Sequence, residues 1–398
     1  MFGAPLKMPF DFDFRDLLWL LLPVAAASGW LAARMDRHRP GRQKFDLPAA
    51  YFQGLNYLLN EQPDKAIEVF LRVLEVNSET VETHLALGSL FRRRGEVERA
   101  IRIHQNLIAR PTLDKEQRTK ALLELGQDYF KAGLLDRAEN LFLELTEVRA
   151  HSEPALRQLL HIYQQERDWE KAISVARKLA RVSEKNMDPV IAQYWCELAE
   201  AAMARGNLPQ AHEALREALK TDRQCVRASI LSGDLAMKQD DPREAIKNWR
   251  RIEEQDVRYL GEVAQRIADA YHRLDDHEGM SEYFRHAHAG SGDQAMALIL
   301  AGIIRSQEGR KAAEKFLIQW LRGRPNVHGL YELISLNLEE AQGQTRQDLM
   351  LLKVIIESLR EQQQGYVCEQ CGFKGRKLHW LCPGCNRWNT IRAIGDAP

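Results

Sequence analysis

Cys368, Cys371, Cys382 and Cys385 form two C-x-x-C pairs within the stretch "CEQCGFKGRKLHWLCPGC". Each pair can present two sulfurs from one tight turn. Two such turns, face to face, enclose a tetrahedral four-sulfur site for one metal ion. Iron and zinc both accept that donor set, and the spacing does not choose between them. Four thiolates around a divalent ion leave a net negative charge, which Lys374, Arg376, Lys377 and Arg387 can offset locally. Gly372 follows the first pair and Gly384 lies inside the second; glycine there allows the tight backbone that aims amide N–H groups at sulfur. With four cysteines at hand, His379 is expected beside the site or exposed. No open coordination position is evident, so hydrolytic metal chemistry is disfavoured.

Four of the six cysteines lie within 18 residues, which suits a metal site in a reducing compartment better than a disulfide framework. The other two, Cys196 and Cys225, fall in helical patterns and read as buried thiols. The 398 residues are 45% apolar and 28% charged with zero formal net charge, so no global field points to nucleic acid or acidic substrates. The sequence has no P-loop, no Gly-rich dinucleotide turn and no nucleophile elbow. His286 and His288 are two apart on a helical pattern and face apart, which disfavours a metal pair. An enzyme is therefore not expected. Arg92, Arg93, Arg94, Arg99 and Arg102 form a basic stretch, either a solvated face or a docking surface for an acidic partner or anionic headgroups.

Some thirty residues around the cysteines cannot build a large core, so the metal must supply much of that module's folding energy. Trp380 and Trp388 are expected to pack over the site or against the last helices. The short connection "REQQQGY" favours docking of the module on what precedes it.

What precedes it is repetitive. "LGSLFRRRGEVERAIRIHQNL" sets Gly88, Phe91, Ala100 and Leu107 at the offsets where "LGQDYFKAGLLDRAENLFLEL" sets Gly126, Tyr129, Ala138 and Leu145. Gly54 with Ala66, Leu160 with Ala172, Ala199 with Ala211, Gly233 with Ala245, Ala268 with Met280 and Ala301 with Ala313 continue the series at intervals of 33 to 39 residues. The pattern resembles the tetratricopeptide repeat, a helix–turn–helix unit whose small residues let paired helices approach. One unit cannot bury its own apolar face, so units stack into a superhelix with a partner-binding surface. The expected architecture is all-α: about eight repeats over 46–325, a closing helix pair at 327–362 and the metal module at 365–398. The longer intervals predict extra helix or loop near 109–117 and 181–189.

From Leu17 to Ala33 there is no charged residue, and seventeen helical residues span roughly 25 Å, at the short end of what crosses a bilayer core. Arg34, Arg37, Arg39, Arg42 and Lys44 follow the run against Asp36 alone; Asp11, Asp13 and Asp16 precede it. Positive flanks stay cytoplasmic. The expectation is a periplasmic extension over 1–16, a transmembrane anchor over 17–34 and a cytoplasmic bulk. Ala25-Ala26-Ala27 would suit signal-peptide cleavage, but the acidic preceding region argues for an anchor. Ala25 and Gly29, four apart, offer a small face for packing against another membrane helix.

The order anchor, repeat array, four-cysteine tail resembles the lipopolysaccharide assembly protein B family of Gram-negative bacteria. The resemblance is carried by "LLLPVAAASGW", "LFRRRGEVERAIRIHQ", "CEQCGF" and "WLCPGCNRWNTI", and covers nearly the full chain. The first dozen residues depart from the family's pattern, and Met8 is an alternative start. The resemblance implies a rubredoxin-like tail with Cys368, Cys371, Cys382 and Cys385 as ligands of one iron or zinc ion. The gap of ten between the pairs is shorter than in free-standing rubredoxins, which counts against electron transfer. The resemblance further implies a non-enzymatic inner-membrane adaptor. Such a protein acts with the membrane protease FtsH on the deacetylase of the lipid A pathway, and contacts lipopolysaccharide export and sensing proteins. A homodimer is compatible, and no nucleic acid is expected. Two competing readings are a membrane-tethered redox protein with an iron four-sulfur centre and a zinc-ribbon scaffold that binds RNA.

Overall fold

A computed structural model describes residues 81–111, 113–148, 152–362 and 365–394, together with Pro23, 25–31 and scattered residues from Phe52 to Val69. The chain divides into two compact units, Met1–Leu90 and Phe91–Pro398. In the first, residues 25–31 are helical and exposed, Ala25 and Gly29 among them. Apart from Pro23, the rest of the expected anchor, the extension before it, and Ala66 of the first repeat lie outside the described residues. Among the described residues no helix is long and apolar enough to cross a membrane.

The array then runs as successive helices. They are α1 (Val81–Arg93), α2 (Val97–Ile108), α3 (Lys115–Lys131), α4 (Leu135–Thr146), α5 (Ser152–Glu166), α6 (Trp169–Ser183), α7 (Asp188–Ala204) and α8 (Leu208–Thr221). The series continues with α9 (Val226–Lys238), α10 (Pro242–Arg250), α11 (Leu260–Arg273), α12 (His277–Ser291), α13 (Gln294–Glu308), α14 (Arg310–Gly323), α15 (Val327–Leu338) and α16 (Gly343–Gln362). A short helical turn, Ile252–Gln255, and a 3-10 turn, Val257–Tyr259, separate α10 from α11. The long intervals go largely into helix: α3 and α7 each have 17 residues.

The small residues do what the repeat demands. Ala100, Ala138, Ala172, Ala211, Ala245 and Ala313 are fully buried. A Cβ on Gly126 would lie 2.6 Å from the Phe142 ring, and one on Gly233 would collide with Trp249. Glycine is thus needed there for space, so that α3 can meet α4 and α9 can meet α10. Between paired helices the chain turns through a left-handed residue: Gly95, Gly133 and Gly206, but equally Arg167, Asp240 and Asp275. Asp168, Asn207, Asp241 and Asp276 then cap the second helices by accepting backbone N–H bonds.

The tail folds as a three-stranded antiparallel sheet ordered β2-β1-β3, with β1 Tyr366–Cys368, β2 Lys374–Gly375 and β3 Ile391–Ala393. Its own core is Cys368, Cys382 and Ile391.

Candidate metal centre

The two cysteine pairs sit on matching turns. Cys368 N donates to Phe373 O at 2.7 Å, and Gly372 N to Cys368 O at 2.9 Å. In the second turn Cys382 N donates to Arg387 O and Asn386 N to Cys382 O, both at 2.9 Å. The left-handed residue closing the first turn is Gly372, and its counterpart in the second is Asn386. Gly384 therefore has a different role from the tight turn expected of it. A Cβ there would meet Cys371 Sγ at 3.2 Å, so its bare backbone makes room for a sulfur of the opposite turn. Asn386 was not legible as a turn residue beforehand, although asparagine tolerates this conformation better than most side chains.

The turns bring four sulfurs within 4.8 Å of one another. Cys368 and Cys385 are 3.8 Å apart and Cys371 and Cys382 are 3.7 Å apart. A metal–sulfur distance of about 2.3 Å puts sulfurs about 3.8 Å apart at the corners of a regular tetrahedron. The donor set and its spacing therefore fit one four-coordinate ion. Thr390 Oγ1 lies 3.3 Å from Cys368 Sγ, and Arg387 Nη1 donates to Gln370 Oε1 at 2.6 Å, tying one turn to the other. Burial opposes ionisation of Cys368, but Thr390 and the backbone amides of Cys371 and Gln370 bring it down to about 6. The Phe373 amide favours the Cys371 thiolate, yet desolvation and the neighbouring sulfurs together outweigh it and push Cys371 up to about 12. Four crowded thiols cannot all ionise without a cation, so metal binding must release protons. Cys371 is exposed while Cys368 and Cys382 are buried. His379 is exposed, its ring 6.3 Å from Phe373, and is not among the clustered donors.

Trp380 and Trp388 differ from expectation in where they pack. They reach the middle of the array instead of its last helices. Trp388 sets its ring edge-on to Trp169 of α6 and Tyr194 of α7, at 6.2 and 5.9 Å. Trp380 stacks on Tyr259 at 5.4 Å. Between the two indoles lies Arg227 of α9, its guanidinium 6.0 Å from the Trp380 ring and 5.9 Å from that of Trp388. Arg227 is 3% exposed; it donates to Glu197 at 2.7 Å and to Gln193 at 3.3 Å, and pairs with Glu200 at 3.0 Å. A buried cation with both carboxylate and π partners regains much of what its desolvation costs. Around it Tyr366 Oη donates to Glu262 Oε1 at 2.6 Å, Tyr259 Oη to the Ile391 carbonyl at 3.3 Å, and Arg392 to the Tyr259 oxygen. Tyr194, Arg227 and Glu262 stand on first helices of consecutive repeats and Trp169 opens the second helix of the repeat before them, so the module contacts four repeats. Nothing in the local stretch "CVRASILSGDL" sets Arg227 apart from a surface arginine.

The basic stretch divides. Arg92 turns inward and donates to Asp128 and Glu124 at 2.7 Å each and to Gln127 at 2.9 Å. The reason is Asp128, fully buried and also 2.5 Å from His104 Nδ1, whose carboxylate needs a counter-charge. Arg93, Arg94, Arg99 and Arg102 are exposed, and Arg94 and Arg99 pair with Glu96 at 3.4 and 2.6 Å.

Residues 366–393 match the model of a rubredoxin metal binding domain, and residues 83–119, 157–224 and 196–256 match tetratricopeptide repeat models. A protein of Escherichia coli (strain K12) named lipopolysaccharide assembly protein B is 37% identical over 381 residues, 95% of this chain and 98% of that one. Its namesake in Haemophilus influenzae is 33% identical over 392 residues, 96% of this chain and 98% of that one. Among solved structures, a tetratricopeptide repeat protein from Parabacteroides merdae aligns at a TM-score of 0.31 with 15% identity over 65% of this chain and 99% of that one. That likeness is too slight to add to the fold described above.

Proposed function

The chain belongs to the lipopolysaccharide assembly protein B family, and from that membership we propose that it is a non-enzymatic scaffold in the control of lipopolysaccharide assembly. The observation that carries this reading is the likeness to a protein of that name over 95% of this chain and 98% of that one, together with the matches of array and tail to repeat and rubredoxin models. The module's packing onto several repeats agrees with it, because a scaffold needs its surface held in one shape. Cys368, Cys371, Cys382 and Cys385 would hold one iron or zinc ion whose part is to fold and seat the module.

In finer detail, the apolar run at 17–34 anchors the chain in the inner membrane with its N-terminus periplasmic and its bulk cytoplasmic. There it presents the lipid A deacetylase to the FtsH protease and contacts export and sensing proteins. The exposed arginines of α1 and α2 and the first helices of the array are the surfaces offered to clients. A homodimer would pack through α16, where Leu351 and Val354 are 64% and 63% exposed, since the last helix of a stack needs a polar outer face or a cover.

The test is the half-life of the deacetylase in cells carrying the wild-type chain, Cys371→Ser, or a deletion of 365–398. The proposal expects the deacetylase to persist longer in both variants. An unchanged half-life in both removes the module from this regulation. The redox reading draws on the exposed Cys371, an outlet for electrons. It requires that zinc in place of iron abolish function with structure intact, whereas the scaffold reading expects a zinc-loaded protein to work.

A further inference from the structure

Behind the seat of the module lies a second pair of thiols that the four-cysteine site does not use. Cys196 of α7 and Cys225, the residue that opens α9, are buried with their sulfurs 3.9 Å apart. They belong to neighbouring repeats. A disulfide bond of about 2.0 Å asks for about 2 Å of sulfur movement, shared between two side chains. The two thiols are also unlike each other. Cys225 stands at a helix N-terminus two residues from the Arg227 guanidinium, and both features favour a thiolate. The Cys196 S–H donated to it brings Cys225 below its ordinary range, while burial pushes Cys196 up.

The pair is wired to the module. Gln193 Nε2 donates to Cys225 Sγ at 3.5 Å, and Gln193 Oε1 accepts from Arg227 Nη1 at 3.3 Å. Arg227 in turn carries the rings of Trp380 and Trp388. A change at the Cys225 sulfur alters what Gln193 can donate to, and with it the hold on Arg227.

We propose that Cys196 and Cys225 form a reversible dithiol–disulfide site, oxidised by a small disulfide such as glutathione disulfide, whose state is passed through Gln193 and Arg227 to the seat of the metal module. The Cys225 thiolate attacks one sulfur of the small disulfide, forming a mixed disulfide and releasing one thiolate. Cys196, losing its proton, then attacks the Cys225 sulfur and expels the second. Two protein thiols are oxidised and one disulfide becomes two thiols, so electrons and protons balance. Because both sulfurs are buried, the reaction waits on local opening between α7 and α9.

The experiment uses the full, metal-loaded chain, equilibrated in glutathione buffers from reducing to oxidising, trapped in acid, alkylated and digested. A cross-linked peptide pair containing Cys196 and Cys225 is expected to form and to vanish on return to reducing buffer. Over the same range the rate at which protease releases residues 365–394 should change in the wild type and stay flat in Cys196→Ala. Should that variant fail to fold, Cys225→Ala carries the comparison. Recovery of both cysteines as alkylated thiols at every ratio overturns the site. A cross-link with wild-type protease release no different from the alanine variant's overturns the connection to the module.

Discussion

From α3 to α14 each helix leans on the next, and the same small-against-large contact recurs: Gly126 under Phe142, Gly233 under Trp249. Residues 366–393 repeat nothing. Strands of three, two and three residues bury little more than two cysteines and one isoleucine. The array spreads its stability over many similar interfaces, so a local fault stays partly local. The module concentrates its stability in one ion and one seat, so a fault in either is felt throughout it. Redundancy lets a surface absorb local change, and concentration makes a part that is either in place or not.

The sharpest test of that contrast is to take the metal away. Structural four-ligand zinc sites contribute on the order of 10 kcal/mol or more to small modules. Chelation, or Cys371→Ser, should strip hydrogen-exchange protection from residues 366–393 while amides of 152–323 keep theirs. Equal loss in both regions would mean that the array depends on the module for its fold.

Arg227→Ala strikes the junction. Removing one member of a buried ionic cluster typically costs about 3–5 kcal/mol, and the lower end is expected because Glu200 is 45% exposed. The melt of the array should fall and Trp380 and Trp388 fluorescence should shift towards that of exposed indole, with metal still bound. Arg227→Met should spare more of the array than alanine does yet still release the tryptophans.

Gly126→Leu touches the array alone. Overpacking against Phe142 should cost about 1–3 kcal/mol, read as a lower melting temperature and faster exchange in α3 and α4. Metal affinity should not move. If it does, the module senses the array farther away than its seat.

The smallest effect is a pH dependence in the array. Burial, aided by the Arg324 charge and opposed by Asp293, lowers the pKa of His288, and its Nδ1 is buried without a hydrogen-bond partner. A depressed folded-state pKa gives stability that is full above the unfolded value near 6.5 and is lost as pH falls through the folded value. Melts between pH 7.5 and 5 should show a modest decline that His288→Leu flattens. Module unfolding should instead track metal release as protons compete for thiolate.

How much of this could be read in the sequence follows from the range of the interactions. Ala100, Ala138 and Gly126 speak through neighbours a dozen or so residues away, and periodicity exposes them. The cysteine pairs declare themselves because two-residue gaps at two places serve few ends other than a metal. The inward turn of Arg92 has no local signature, because its partner, Asp128, is 36 residues distant and no local pattern marks that carboxylate as buried. Trp380 and Trp388 read as packing residues from sequence, over the site or against the last helices, because no local signal points farther back along the chain. Tyr259 bonds a carbonyl 132 residues downstream, and nothing in one sequence states such a pairing. Gly384 looked like a turn glycine and is a space for Cys371, a distinction that needs the opposite turn in view.

The seat of the module also has a place in time. Trp169, Tyr194, Arg227 and Tyr259 leave the ribosome well before Trp380 and Trp388 do. At about 5–20 residues per second, the seat is made roughly 6 to 24 seconds before the piece that fills it. Through that interval Trp169, Tyr194, Arg227 and Tyr259 are without the two indoles they meet in the folded protein.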